Sequence, residues 1–182
     1  MSRDDEEHPG VDTAADPPSL PITPETYRLR RSIGFLLKGN AKLAMALAED
    51  AFAGEGDLGF VHFMVLMLLR EGVARTPGDL GALIGITSGA MTRLVDHLER
   101  KGLVARERSR RDRRSVGIGL TGSGAKAADA LLPRLVGLWN GVLADFEPGE
   151  YRLLVLLLEK LFRALQASQK PGREVFPRSA SI

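Results

Sequence analysis

Apolar residues recur along this chain in two rhythms, a helical one over most of its length and a short alternating one near the middle. Between Thr26 and about Ala53, Ile33, Leu36, Leu37, Leu43, Met45 and Leu47 are spaced among charges. This predicts one long helix or two abutting ones, with Gly39–Asn40 as the place for a kink. Phe60 to Arg70 is apolar at nearly every position and is closed by Glu71–Gly72, which predicts a helix at the centre of a core. Thr76-Pro77-Gly78-Asp79 is a strong helix start, with Thr76 as N-cap and Pro77 at the first helical position. The short helix through Leu80, Leu83 and Ile84 stops at Gly85. Thr87 or Ser88 then caps a helix whose Met91, Leu94, Val95 and Leu98 form one apolar stripe, with Gly102 as its terminator.

Behind it the rhythm changes. Leu103-Val104-Ala105-Arg106 leads into an arginine-rich turn, and Val116, Ile118 and Leu120 alternate as in a half-buried strand. Two strands around a charged turn make a hairpin. A long helix is predicted from Gly124 to about Phe146, with Pro133 as a kink and Pro148-Gly149-Glu150 as a break. The last helix, Tyr151 to Ala167, carries Leu153, Leu154, Leu156, Leu157, Leu158, Leu161, Phe162 and Leu165. That is more apolar surface than one watered face allows, so it needs a partner on more than one side.

Composition narrows the picture at the ends. Residues 1–24 hold five of the ten prolines and six acids before residue 17, without apolar periodicity. Such a segment is read as a disordered tail, and 170–182 as a flexible one. The compact unit is 25–169. The chain contains no cysteine, which excludes disulfides, thiolate metal sites and thiol redox sensing, and suits a reducing cytoplasm. The longest apolar run, Phe60 to Leu69, is half the roughly 20 residues of a spanning helix, and the acidic start does not resemble a signal peptide. No membrane partner is expected. The net charge of +2 is uninformative, but Arg100 to Arg114 contains eight basic residues against two acidic ones. Concentrated positive charge of that kind reads as a phosphate-binding patch.

The order helix, short helix, tight turn, amphipathic helix, hairpin is that of a winged helix-turn-helix. The expected fold is therefore mainly α with a small β-hairpin: a winged helix-turn-helix domain over 57–121 plus a helical dimerisation region, about six helices in all. The short helix over 77–84 braces the next one, whose polar face can enter a major groove of double-stranded DNA. Small residues at its start, Ser88, Gly89 and Ala90, permit close approach to base edges and phosphates, with Thr87 beside them as a further DNA-binding candidate. Thr92 lies on the same face, and Arg93 is placed to reach guanine O6 and N7. His97 lies beside that face and is a phosphate-contact candidate.

These residues resemble a known family. Gly85-Ile86-Thr87-Ser88-Gly89-Ala90-Met91-Thr92-Arg93-Leu94-Val95-Asp96-His97-Leu98-Glu99, followed by Lys101-Gly102-Leu103-Val104, is similar to the recognition helix of MarR-type regulators. Asp112-Arg113-Arg114-Ser115, followed by Leu120-Thr121, resembles their wing and the start of the next helix. The likeness runs from about 26 to 167. It implies a homodimer joined by the first and last helices (25–53 and 122–168), a repressor of transcription, and a wing arginine in the minor groove. By position that arginine is Arg113, with Arg110, Arg111 and Arg114 beside it at the tip. It also implies a small aromatic effector, for which Phe35, His62, Phe63 and Trp139 are candidates.

Other signals weigh less. Gly117-x-Gly119-x-x-Gly122 matches a dinucleotide fingerprint literally, but no βαβ alternation surrounds it. His8, His62 and His97 are too scattered for a metal cluster, and His62 reads as a satisfied, half-buried core imidazole. No cofactor, no metal and no catalytic arrangement is expected. Two further classes stay open: a nonspecific architectural DNA-binding protein, and a winged-helix protein-interaction module.

Overall fold

A computed structural model describes residues 20–54, 56–108 and 116–169. Contacts divide the chain into two units, one ending at Ala44 and the other beginning at Met45.

In the first unit a 3-10 turn, Leu29–Arg31, precedes helix α1 (Ile33–Phe52), which continues into the second unit. The helix starts later than the Thr26 expected from its apolar spacing, because Ser32 caps it. The Ser32 hydroxyl accepts the Phe35 N–H at 3.3 Å and donates to Leu29 O at 2.7 Å. Gly39 and Asn40 lie within α1 without interrupting it.

The second unit continues with α2 (Phe60–Arg70), α3 (Pro77–Ile84), α4 (Ser88–Arg100), β1 (Val104–Arg108), β2 (Val116–Leu120), α5 (Gly122–Val142) and α6 (Pro148–Ala167). Among the described residues, six helices and one two-stranded antiparallel hairpin thus make up the fold that the apolar rhythms predict. Turn chemistry sets most boundaries. The Thr76 hydroxyl accepts the Asp79 N–H at 3.1 Å and donates to its carboxylate at 2.8 Å, fixing the start of α3. Glycines at positive φ close α2, α3 and α4: Gly72 (69°), Gly85 (79°) and Gly102 (70°). After α4, Gly102 N–H bonds to Glu99 O at 2.8 Å and Leu103 N–H to Leu98 O at 3.0 Å, the paired pattern of a Schellman cap.

The main core joins Val65, Leu66 and Leu69 of α2, Leu80 of α3, Met91, Val95 and Leu98 of α4, Val104 and Ile118 of the hairpin, and Ala128 of α5. An eight-residue helix is marginal alone, so α3 depends on this burial. It lies tight on α4, since a Cβ at Gly81 would stand 3.3 Å from Ile86 O and 3.9 Å from Met91 Cβ. A second cluster joins Ala48 and Phe52 of α1 to Phe60 and Phe63 of α2, with Leu131, Leu132, Leu135 and Leu138 of α5 against it.

Two expectations at the C-terminal end need correction. Helix α5 begins at Gly122 and ends at Val142, running through Pro133 as one element. Pro148 ends nothing; it is the first residue of α6, where a missing N–H is harmless. The Glu150 carboxylate reaches back to accept the Glu147 N–H at 2.9 Å, which secures that turn. Helix α6 buries none of its residues, and neither core cluster draws on it.

Candidate nucleic-acid interface

Helix α4 has two faces with separate duties. Met91, Val95 and Leu98 are fully buried and fix its position on α2 and α3. Thr87, Ser88, Gly89, Thr92 and Arg93 are all exposed. The Thr87 hydroxyl caps the helix by accepting the Ala90 N–H at 3.3 Å. The Thr92 hydroxyl donates to Ser88 O at 3.0 Å, leaving its lone pairs outward for a donor. No described residue forms an ion pair with Arg93. The structure therefore brings these five candidates together around the start of one rigid helix.

His97 is turned differently. Its buried Nε2 lies 3.5 Å from Asp57 Oδ2, too poorly aligned for a hydrogen bond, and its ring centre is 5.1 Å from that of His62. Lys101 Nζ pairs with the other Asp57 oxygen at 2.6 Å. This hydrogen bond holds the Asp57 carboxyl below its ordinary pKa. His62 is half-buried, and its Nδ1 accepts the Gly59 N–H at 3.1 Å, closing the first turn of α2. Burial, helped by His97, pushes the His62 pKa below the usual imidazole value.

The hairpin leaves α4 at Gly102 and is stitched down at its root. Its register pairs Val104 with Leu120, Arg106 with Ile118 and Arg108 with Val116. Ile118 is buried, and its N–H donates to Arg75 O at 2.7 Å, tying β2 to the loop before α3. Thr121 N–H bonds to Leu103 O at 3.1 Å; its hydroxyl faces Gly102 O at 2.7 Å and accepts Gly124 N–H at 3.0 Å. Arg106 reaches from β1 to α4, bonding Asp96 Oδ1 at 2.5 Å and also Glu99. These carboxylates, Asp96 foremost, raise its pKa above the ordinary arginine value.

The remaining candidates divide. Arg110, Arg111, Arg113 and Arg114 lie outside the described residues. Phe63 is enclosed, its ring 5.0 Å from Phe52 and 6.5 Å from Phe60. Trp139 on α5 and Phe35 on α1 are both exposed. Gly117 and Gly119 sit in β2 and Gly122 opens α5. Among the described residues an antiparallel hairpin precedes that helix start, which is not the parallel βαβ setting of a dinucleotide site. Asp57, Asp96, Glu99 and Arg106 were not singled out by sequence; pairs seven to 44 positions apart leave no local signal.

A helix braced from behind by two others, exposing small and polar residues at its start and followed by an anchored hairpin, defines a winged helix-turn-helix protein of the DNA-binding class. The MarR family model matches residues 57–115, from the loop before α2 to the hairpin. The HTH-type transcriptional repressor YetL of Bacillus subtilis (strain 168) is 31% identical over 119 residues, 64% of this chain and 71% of YetL. TtmR, an HTH-type transcriptional regulator of Methylorubrum extorquens (strain PA1), is 35% identical over 104 residues, 56% of this chain and 53% of its own. Wild-type MarR from E. coli in its apo form superposes with a TM-score of 0.60 at 28% identity, covering 71% of this chain and 96% of that one. The chain belongs to the MarR family of transcriptional regulators. That family is one of regulators rather than enzymes. Among the described residues no helix is long and apolar enough to cross a membrane.

Proposed function

We propose that the protein is a homodimeric, sequence-specific repressor that reads a pseudo-palindromic operator in double-stranded DNA and is released by a small effector. The observation that carries the reading is the division of α4. Its apolar stripe is locked into the core, while Thr87, Ser88, Gly89, Thr92 and Arg93 face solvent around its N-terminal half. In this reading Arg93 supplies base discrimination through paired hydrogen bonds to guanine, and the first-turn amides and hydroxyls meet phosphate. The wing arginines, Arg113 first with Arg110, Arg111 and Arg114, add minor-groove affinity. Pairing of two chains is supported by α6, whose Leu153, Leu156, Leu157 and Leu165 are each more than half exposed. Repression and effector release follow the family likeness: a ligand favouring one spacing of the two recognition helices shifts the population away from the operator.

The test is selection of bound sequences from random duplexes by the purified full-length chain, repeated with Arg93→Ala. A pseudo-palindrome with half-sites about 34–36 Å apart is expected. Arg93→Ala should relax preference at one base pair per half-site, costing about 1–3 kcal/mol there. Equal loss on every sequence would instead mark an architectural DNA-binding protein. Binding without a steep fall between low and moderate salt would mark a protein-interaction module.

A further inference from the structure

We propose that Arg106 is a positioning residue: it clamps the hairpin to the recognition helix through Asp96 and Glu99 and contributes no phosphate contact of its own. The proposal rests on the DNA-reading function above only for its consequence, since the clamp itself is a property of the free protein.

Four observations converge. Arg106 stands opposite Ile118 in the hairpin register, and two residues after the buried Val104, so its side chain leaves β1 on the core side, toward α4. Its two terminal nitrogens are divided between two carboxylates, one bonding Asp96 Oδ1 at 2.5 Å and the other Glu99 Oε2. The second Glu99 oxygen accepts the backbone N–H of Arg106 at 3.3 Å, so Glu99 holds both the strand and its side chain. Asp96 and Glu99 are three residues apart and therefore neighbours on one face of α4.

A planar guanidinium can bridge two such carboxylates at once, whereas a lysine ammonium is a single point charge. A two-stranded hairpin is marginally stable on its own, so its angle to α4 must be set by contacts at its root. Ile118 and Arg75 fix its depth, and Arg106 fixes its roll against the helix. The same arrangement redistributes the basic run read from the sequence. Lys101 is engaged by Asp57 and Arg106 by two acids, so these two positive charges near the hairpin root are answered within the protein.

The experiment compares wild type with Arg106→Lys and Arg106→Gln in the full-length chain, in two arms. Without DNA, native-state hydrogen exchange is read at the β1 and β2 amides. Both variants should accelerate exchange there, about threefold or more, while α2 amides stay at the wild-type rate. Unchanged exchange in the hairpin would overturn the clamp whether or not the protein binds DNA. With a selected operator duplex, affinity is measured across a salt series. Both variants should weaken binding to a similar degree, on the order of three- to tenfold, with the slope of log K against log salt as in wild type. A lysine variant that binds like wild type, beside a glutamine variant whose slope falls by about 0.9, would make Arg106 a phosphate ligand and refute the proposal. If wild type itself fails to bind duplex, the DNA-reading function falls while the exchange arm still decides the clamp.

Discussion

Thr121 joins three elements, and its replacement by alanine should be among the costlier substitutions that remove no core side chain. Its hydroxyl accepts the Gly124 N–H at 3.0 Å as N-cap of α5 and faces Gly102 O at 2.7 Å, just past α4. Its own N–H continues the hairpin to Leu103 O at 3.1 Å and survives the substitution. Losing a threonine N-cap costs typically about 1 kcal/mol. The same hydroxyl also shares its proton with Leu103 O at 3.0 Å in a half-buried place, and losing that bond adds about 1 kcal/mol more. Thr121→Ala should therefore destabilise by about 2 kcal/mol, lowering Tm by about 4–8 °C for a chain of this size. Thr121→Ser keeps the hydroxyl and should cost only a methyl group, about 0.8 kcal/mol or less. Urea unfolding followed by far-ultraviolet circular dichroism, at one fixed protein concentration, gives both values with an unchanged m. An alanine variant within about 0.5 kcal/mol of wild type would refute the reasoning. So would a serine variant as unstable as the alanine one, since that would assign the effect to the methyl.

Three residues further on, Gly124 allows no side chain: a Cβ there would stand 2.0 Å from Leu103 O and 2.7 Å from Leu120 Cδ1. Gly124→Ala should cost about 3 kcal/mol or more, while Gly122→Ala, with nothing within 4 Å of its Cβ, should be neutral or slightly stabilising; matched melting curves decide. The His62 pKa is lowered by folding, so below the ordinary value near 6.5 the unfolded chain binds a proton that the folded one resists. Stability should thus be level above that pH and fall as pH drops below it. The fall should be smaller in His62→Gln, and an identical pH profile in that variant would assign the effect elsewhere.

Much of the fold was legible because its signals are local. Thr76-Pro77 and Thr87 announce their helices, Gly72, Gly85 and Gly102 end theirs, and the spacing of Met91, Val95 and Leu98 identifies the inner face of α4. The first-turn candidates on α4 were legible for the same reason, as the complement of that stripe. The misreadings share a cause as well. Pro148 carries two opposed local meanings, breaker or starter, and only the packed chain chooses between them. His97 looked like a groove-side residue by spacing. What turns it toward Asp57 lies forty positions away, and no periodicity encodes such a partner. Arg106 was hidden in the same way inside a run of arginines.

The sparse anchoring of α6 has a consequence for how such a chain can diverge. Neither buried cluster takes a side chain from this helix, so its leucine pattern can drift without costing the reading fold a core contact. On the proposed pairing, that drift changes which chain is accepted as partner while leaving α4 untouched. Sibling regulators descended from one ancestor could then stop mixing subunits before their operators differ. The segregation of duplicated genes would begin at the last helix.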